Sequence, residues 1–131
     1  MVQVLLKGRE NQHETLCEDL LRERAAVLAR AGFAVEDALE KLVKIDRQLE
    51  EKLLDWRLRQ DDPSGKEDLQ KPLAIIKEVN EIIDQFNEAC QKAEIRYYYL
   101  IVTREALGLR RHETVQKLYQ VPPKKKKMQA I

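Results

Sequence analysis

The sequence predicts an all-α protein: a long antiparallel helical hairpin, forming a coiled-coil-like bundle of two to three helices. Three observations support this fold class. Apolar residues recur every seven positions over most of the chain, glycine and proline are sparse, and 36% of the residues are charged while only 5% are aromatic. At 131 residues, the chain is expected to form a single domain.

The first long helix is predicted from its seven-residue repeat, which is carried by Leu21, Leu28, Val35, Leu42, Leu49 and Trp56. Ala31, Ala38 and Ile45 occupy the complementary position of a coiled-coil seam. The repeat passes through Gly32 without a change of register, which favours one continuous or merely kinked helix of about 50 residues. The alternative is a helix end at Gly32 followed by a new helix that starts near Glu36 and Asp37.

A turn and a second long helix follow. The turn is predicted at "QDDPSGKED", where Ser64 and Glu67 fit a capping box. Because Pro72 lacks an N–H, the second helix is expected either to kink near residue 68 or to begin in earnest at Pro72. Its repeat is Leu69, Ile76, Ile83, Cys90 and Tyr97, alternating with Leu73, Val79, Phe86, Ala93, Leu100 and Leu107. A short connection makes the two long helices antiparallel neighbours.

The chain is divided into three parts on this basis. Residues 1–9 form an N-terminal arm, residues 10–121 the helical domain, and residues 122–131 a basic tail that is expected to be disordered. Beyond Gly108, "LRRHETVQKLYQV" predicts a short helix with Val115 and Leu118 on one face.

Catalytic and metal-binding patterns are weak. The four glycines are dispersed, so no glycine-rich phosphate loop is formed. Glu10 and His13 have the Glu-x-x-His spacing of di-iron bundles, but such a site needs a second motif of this kind. Cys17 and Cys90 lack metal-ligand spacing and are expected to be reduced thiols. We therefore expect no enzymatic activity, no cofactor and no metal site.

The stretch "RYYYLIVT", residues 96–103, is the strongest candidate for a functional surface. Tyr97 and Leu100 continue the seven-residue repeat, which predicts helix rather than strand. The run nevertheless covers the whole circumference of a helix, so part of it lies outside the seam. The predicted partner-binding residues are Ile95, Tyr98, Tyr99, Ile101, Val102 and Leu109. Either the terminal segments "VQVLL" or "VQKLYQV" cover this surface, or another chain does.

Charge limits the classes of partner. The net charge is +1, which disfavours binding to nucleic acid or to an anionic membrane. No apolar run approaches the length needed to span a bilayer, so a cytoplasmic location is expected. The basic tail concentrates Lys124, Lys125, Lys126 and Lys127 after two prolines. In a nucleus-containing cell "PPKKKK" would resemble a nuclear import signal, and in a bacterium it would be a solvated tail.

A family resemblance follows from "LLRERAAVLARAGFAVEDALEKLVKIDRQLEEKL" and from the later "VNEIIDQFNEAC". This pattern resembles flagellar export chaperones of the FlgN type, which are all-helical and of similar length. The matching residues are Leu20, Leu21, Ala25, Leu28, Gly32, Leu39, Lys44 and Leu49, followed by Asn80 and Asn87. The resemblance departs from the family at Phe33 and in the lysine tail. It implies that the late helix binds the amphipathic C-terminal helix of an export substrate, with Tyr98, Tyr99, Ile101 and Val102 forming the groove.

The leading functional hypothesis is a protein–protein interaction module that binds a partner helix through the apolar surface of the second long helix. The alternative is a structural coiled-coil homodimer, or a subunit of an assembly, with the basic tail used for localisation.

Overall fold

A computed structural model describes the backbone of residues 2–60 and 70–129 and the side chains of residues 8–59 and 73–129. It contains helix α1 (Val2–Gln60), helix α2 (Gln70–Ala106) and helix α3 (Glu113–Leu118), and no strand within the described residues. The all-α hairpin predicted from the sequence is confirmed. The predicted turn and the capping box of Ser64 and Glu67 lie outside the described residues. Helix α2 begins at Gln70, which places Pro72 in its first turn, where proline needs no hydrogen-bond partner.

The two long helices pack in antiparallel fashion along the predicted seam. Val35 lies with Leu100 at one end of the hairpin, and Leu49 lies with Val79 and Ile83 at the other. Between them, the central cluster contains Ala38, Leu42, Phe86, Cys90 and Ala93, all buried. The repeat therefore identifies the core correctly between residues 35 and 49 of α1 and between residues 79 and 100 of α2.

Helix α1 is continuous through Gly32, as the unbroken register of the repeat predicts. It also passes through Gly8, so residues 2–9 form the first turns of α1 rather than a separate N-terminal arm. The helix has 59 residues, which corresponds to a length of about 88 Å at 1.5 Å per residue. Helix α2 has 37 residues and is therefore shorter by about 33 Å.

This difference in length leaves an overhang, which we define as residues 8–27 of α1. All side chains of the overhang are exposed, including Leu16, Leu20, Leu21 and Val27. Leu21 continues the repeat of Val35 and Leu42, but α2 ends at Ala106, before it could cover this part of the seam. The overhang thus carries seam residues with no covering helix among the described residues.

Helix α2 ends at a glycine in the left-handed conformation. Gly108 has φ +87°, and its N–H donates to the carbonyl of Glu105, while the N–H of Leu109 donates to the carbonyl of Arg104. This pair of bonds is the Schellman motif, which satisfies carbonyls left free at a helix end. Arg104 also donates to Nδ1 of His112 at 3.3 Å and to the carbonyl of Arg111 at 2.9 Å. These bonds turn the chain back towards the hairpin.

The predicted disorder of the basic tail is wrong for residues 122–129. After α3, the chain runs without helical structure along the groove between α1 and α2, where side chains of both helices bind it. The sequence-based prediction followed from two prolines and a lysine run, which cannot continue a helix. Such a segment can still be ordered when the surface of the folded domain supplies its hydrogen-bond partners.

Candidate functional site

The outer face of α2 carries an exposed apolar patch, which we define as Ile95, Tyr98, Tyr99 and Val102. Their exposed fractions are 47%, 64%, 62% and 41%, respectively. These positions follow the i, i+3, i+4, i+7 spacing of a single helix face, so the four side chains form one stripe. The Tyr98 and Tyr99 rings lie 6.3 Å apart at an angle of 59°. This patch contains four of the six predicted partner-binding residues.

The other two predicted residues lie elsewhere. Ile101 is partly buried and packs against the cluster of Val35, Leu100 and Val115, so it belongs to the interior. Leu109 is exposed but follows the end of α2, beyond the stripe. The apolar run is thus divided between a face that the chain covers itself and a face that remains open.

The C-terminal segment "VQKLYQV" covers the inner flank of the run at Ile101 and leaves Tyr98 and Val102 exposed. Val115 of α3 is buried against Val35 and Leu100. Tyr119 lies over Gly32, where its hydroxyl would be 3.9 Å from an added Cβ. That hydroxyl donates a 2.6 Å hydrogen bond to Glu36, and this bond, together with burial and the carboxylate charge, raises the pKa of Tyr119.

The tail is held in the groove by two asparagine side chains of α2. Asn87 donates its amide to the carbonyl of Lys125 at 2.9 Å and accepts from the N–H of Lys125 at 2.8 Å. Asn80 makes the same pair of bonds with Met128, at 3.0 and 2.7 Å. Each side-chain amide thus pairs with one residue as a neighbouring β-strand would, by exchanging two hydrogen bonds with its backbone. We call these pairs the asparagine clamps.

The spacing of the clamps matches the geometry of an extended peptide. Asn80 and Asn87 are seven residues apart on the helix, a distance of about 10.5 Å. Lys125 and Met128 are three residues apart, which corresponds to about 10 Å in an extended chain. The seven-residue period of the helix therefore fits a three-residue period of the tail, and both clamps close without distortion.

Acidic and aromatic side chains bind the lysines at alternate positions. The Lys125 ammonium is 2.6 Å from a carboxylate oxygen of Asp46 and lies 4.8 Å from the centre of the Phe86 ring. Lys127 pairs with Asp84 at 3.1 Å. Of the four lysines of the predicted basic site, Lys125 is partly buried, and Lys124, Lys126 and Lys127 are exposed.

Apolar contacts hold the segment on both sides of the lysines. Val121 packs against the central cluster and Met128 against the cluster of Leu49, Val79 and Ile83. Pro122 and Pro123 lie between Val121 and the lysines, and their fixed φ angles favour an extended conformation. The tail is therefore anchored by apolar, backbone and ionic contacts at successive positions.

The side of the hairpin opposite the tail is lined mainly by basic side chains. An open groove of about 360 Å³ lies there, lined by Lys41, Lys44, Lys92 and Arg96 around Ala38 and Ala89. Arg96 donates to the carbonyl of Ala34 at 3.3 Å, and Lys92 lies 3.5 Å from Glu88. The groove that holds the basic tail is thus the side with Asp46 and Asp84.

The described residues offer little that resembles a catalytic centre. Within residues 8–59 and 73–129, no three His, Cys, Asp or Glu side chains come close enough to hold a metal ion. Cys17 lies 3.8 Å from His13 on the exposed overhang. Cys90 is buried, and its burial, with the charge of Glu94, raises the pKa of its thiol. None of the helices within the described residues is long and apolar enough to cross a membrane.

Sequence reasoning did not identify the asparagine clamps as a site. The available signal was the pair Asn80 and Asn87, two poor helix formers at a seven-residue interval on the flank of a helical seam. Asp46 and Asp84 gave no signal, because isolated carboxylates on helices are common on solvated faces.

Comparison with known proteins found no matching family model, no matching curated protein and no matching solved structure.

Proposed function

We propose that this protein is a non-enzymatic interaction module whose apolar patch on α2 binds one amphipathic helix of a partner protein. The observation that carries the proposal is the exposure of Ile95, Tyr98, Tyr99 and Val102 on a single helix face. Neighbouring helical faces pair through this i, i+3, i+4, i+7 spacing, and tyrosine provides a large contact area with a polar end.

The support for an external partner is that the described C-terminal segment covers only one flank of the apolar run. Val115 and Tyr119 close over Ile101 and Leu100, yet the patch on the adjacent face stays open. Two tyrosines exposed by more than 60% beside two aliphatic residues form a contiguous apolar face, and such faces commonly mark interaction sites.

The resemblance to flagellar export chaperones suggests one form of this function. In that form, the partner helix would be the amphipathic C-terminus of a secreted subunit, and the module would keep it soluble before export. The cytoplasmic location expected from the sequence agrees with this role.

The test combines a stability measurement with a binding measurement. Tyr98→Ala with Val102→Ala should leave the free energy of unfolding unchanged or slightly raised, because both positions are exposed and alanine is the better helix former by about 0.5 kcal/mol each. Leu100→Ala on the same helix should instead cost about 2–5 kcal/mol, because Leu100 is buried.

The binding measurement uses a photoreactive phenylalanine at position 98 in the native cell. We expect a cross-link to a helical segment of one partner, lost when Val102 is changed to Glu and retained when Gln91 is changed to Glu as a control. A large loss of stability in the Tyr98→Ala, Val102→Ala variant, or a cross-link that persists with Glu at 102, would contradict the proposal.

A second candidate function, a structural homodimer, is favoured by the overhang. Its exposed apolar residues are Leu16, Leu20, Leu21 and Val27, and Leu21 belongs to the seven-residue repeat of the seam. Two copies that pack side by side through their overhangs would cover these exposed side chains.

Sedimentation over a dilution series tests this candidate. A dimer that dissociates when Leu20 and Leu21 are both changed to Glu would support it, and a monomer at all concentrations would exclude it.

A further inference from the structure

We propose that the groove between α1 and α2 is a binding site for extended lysine-rich peptide segments, and that residues 121–129 are its occupant in cis. The ligand class is a peptide with lysines at alternate positions in an extended conformation. A segment of another protein with this chemistry competes with the tail for the same contacts.

The first argument is that the clamps recognise the backbone. Asn80 and Asn87 each bind the N–H and the carbonyl of one residue, and these hydrogen bonds involve only backbone atoms of that residue. Any residue other than proline can offer this pair of groups. The clamps therefore select an extended backbone in a fixed three-residue register rather than one particular sequence.

The second argument is that the flanking side chains select for lysine. Asp46 and the face of the Phe86 ring together surround one ammonium group, and Asp84 binds the ammonium two residues later. A carboxylate beside an aromatic face is a favourable environment for a cation on a flexible stem. The recognition surface thus combines the backbone clamps with one partly buried cation site at Asp46 and Phe86 and one exposed ion pair at Asp84, and it is not merely an acidic patch.

The third argument is that the tail differs from a separate peptide only in its covalent attachment. None of the polar contacts requires the tail to be covalently attached, because they involve only its backbone and its lysine side chains. Attachment supplies a high local concentration, which is typically in the millimolar range for a short tether. A free peptide of the same sequence is therefore expected to displace the tail only at about millimolar concentration.

The experiment uses the full chain, labelled with ¹⁵N, and an unlabelled peptide with the sequence of residues 119–129. In the unaltered protein, we expect the peptide to shift the amide signals of Lys125 and Met128 to their undocked positions at about millimolar concentration. Changing Lys125 and Lys127 to Ala weakens the attached tail and leaves the groove intact. We expect displacement of that tail at a peptide concentration about 10-fold lower or less.

Two controls separate recognition by the groove from simple ionic attraction. A peptide that is N-methylated at the residues equivalent to Lys125 and Met128 keeps every charge but loses the N–H groups that the clamps bind, so it should fail to displace the tail. In a chain with Asn80→Ala and Asn87→Ala, the unmodified peptide should bind at least about 10-fold more weakly.

The outcomes are decisive in both directions. Displacement by the unmodified peptide, with no displacement by the methylated one, supports the proposal. Equal displacement by both peptides shows ionic attraction alone and overturns it, as does a tail that stays docked with either peptide. Because the readout lies in the groove, its result is independent of binding at the apolar patch on α2.

Discussion

Replacement of Asn87 by alanine tests whether the tail is held by its backbone. The substitution removes two hydrogen bonds, of 2.9 and 2.8 Å, between the Asn87 side chain and the backbone of Lys125. It leaves the lysine side chains, Asp46 and the apolar anchors unchanged. The affected quantity is the free energy of docking of the tail.

The magnitude follows from the number of bonds lost. At a net value of about 1 kcal/mol for each hydrogen bond, docking weakens by about 2 kcal/mol. This corresponds to an increase of about 30-fold in the undocked fraction, at 1.4 kcal/mol per factor of ten. Alanine also favours the helix over asparagine by about 0.6 kcal/mol. A faster exchange in the tail therefore cannot be attributed to a weakened α2.

Hydrogen exchange of the Lys125 amide measures the effect directly, since that N–H donates to Asn87. We expect the amide to exchange about 30-fold faster in the variant. If the tail undocks as a unit, the Met128 amide accelerates equally, and if the clamps open separately, it does not. Gln85→Ala is the matched control, because Gln85 lies on the same helix at the opposite groove. Unchanged exchange at Lys125, or an equal change in the control, would refute backbone clamping.

Three further predictions concern the ends and the thiols of the hairpin. Gly108→Ala should lower the free energy of unfolding by about 1–2 kcal/mol in urea denaturation, because φ is +87° there, and an unchanged midpoint would contradict the strain. The hydrogen bond to Glu36 raises the pKa of Tyr119, so its stabilising contribution is complete below the unfolded value of 10.0 and is lost as the pH rises through the higher folded value. Tyr119→Phe should remove this loss, as measured by unfolding at a series of alkaline pH values. At neutral pH, alkylation followed by mass spectrometry should modify the exposed Cys17 well before Cys90, whose thiol is buried and has a raised pKa, and equal rates would contradict this burial.

The hairpin could be predicted because its determinants are local and periodic. Val35, Leu42 and Leu49 mark the same face of α1 at every second turn, and burial of such a face is the main source of helix stability in a small domain. The same periodicity predicts continuity through Gly32, because a loop there would have shifted the repeat.

The candidate site was only partly predictable, because coverage depends on the path of the whole chain. The sequence shows that Tyr98 and Ile101 both lie outside the seam, but not how much of this flank the returning segment covers. The structure places Val115 over the side of Ile101 and leaves Tyr98 exposed. The exposure of the overhang could not be predicted for the same reason, because it follows from where α2 ends rather than from the residues of the overhang.

The tail could not be predicted from its composition. A proline pair followed by four lysines is typical of a disordered segment when it is considered alone. The order of the tail depends on partners that are distant in the sequence. Asn87 and Asp46 lie 38 and 79 residues from Lys125, and Asn80 lies 48 residues from Met128. Asp84 is the partner of Lys127. Such long-range partners carry no periodic signal of their own.

Because the tail has four consecutive lysines, it could bind in the groove in two similar registers. If the tail slid by one residue, Lys124 would replace Lys125 at Asp46, and Lys126 would replace Lys127 at Asp84. The clamps would still find an N–H and a carbonyl, because they bind the backbone of any residue except proline. A second such step is blocked, since it would bring Pro123 to Asn87 without an N–H.

Apolar side chains at the two ends of the segment therefore select between the two positions, since the slide would also replace Val121 at the central cluster with Gln120. Met128 packs against Leu49, Val79 and Ile83 in the observed arrangement, and a slide by one residue would replace it there with Lys127. Packing of the Met128 side chain helps to fix the register of a repetitive segment in the groove, as an apolar face fixes strand register in a sheet. Exchange of Met128 for lysine would remove one of the two apolar contacts that fix the tail in a single register.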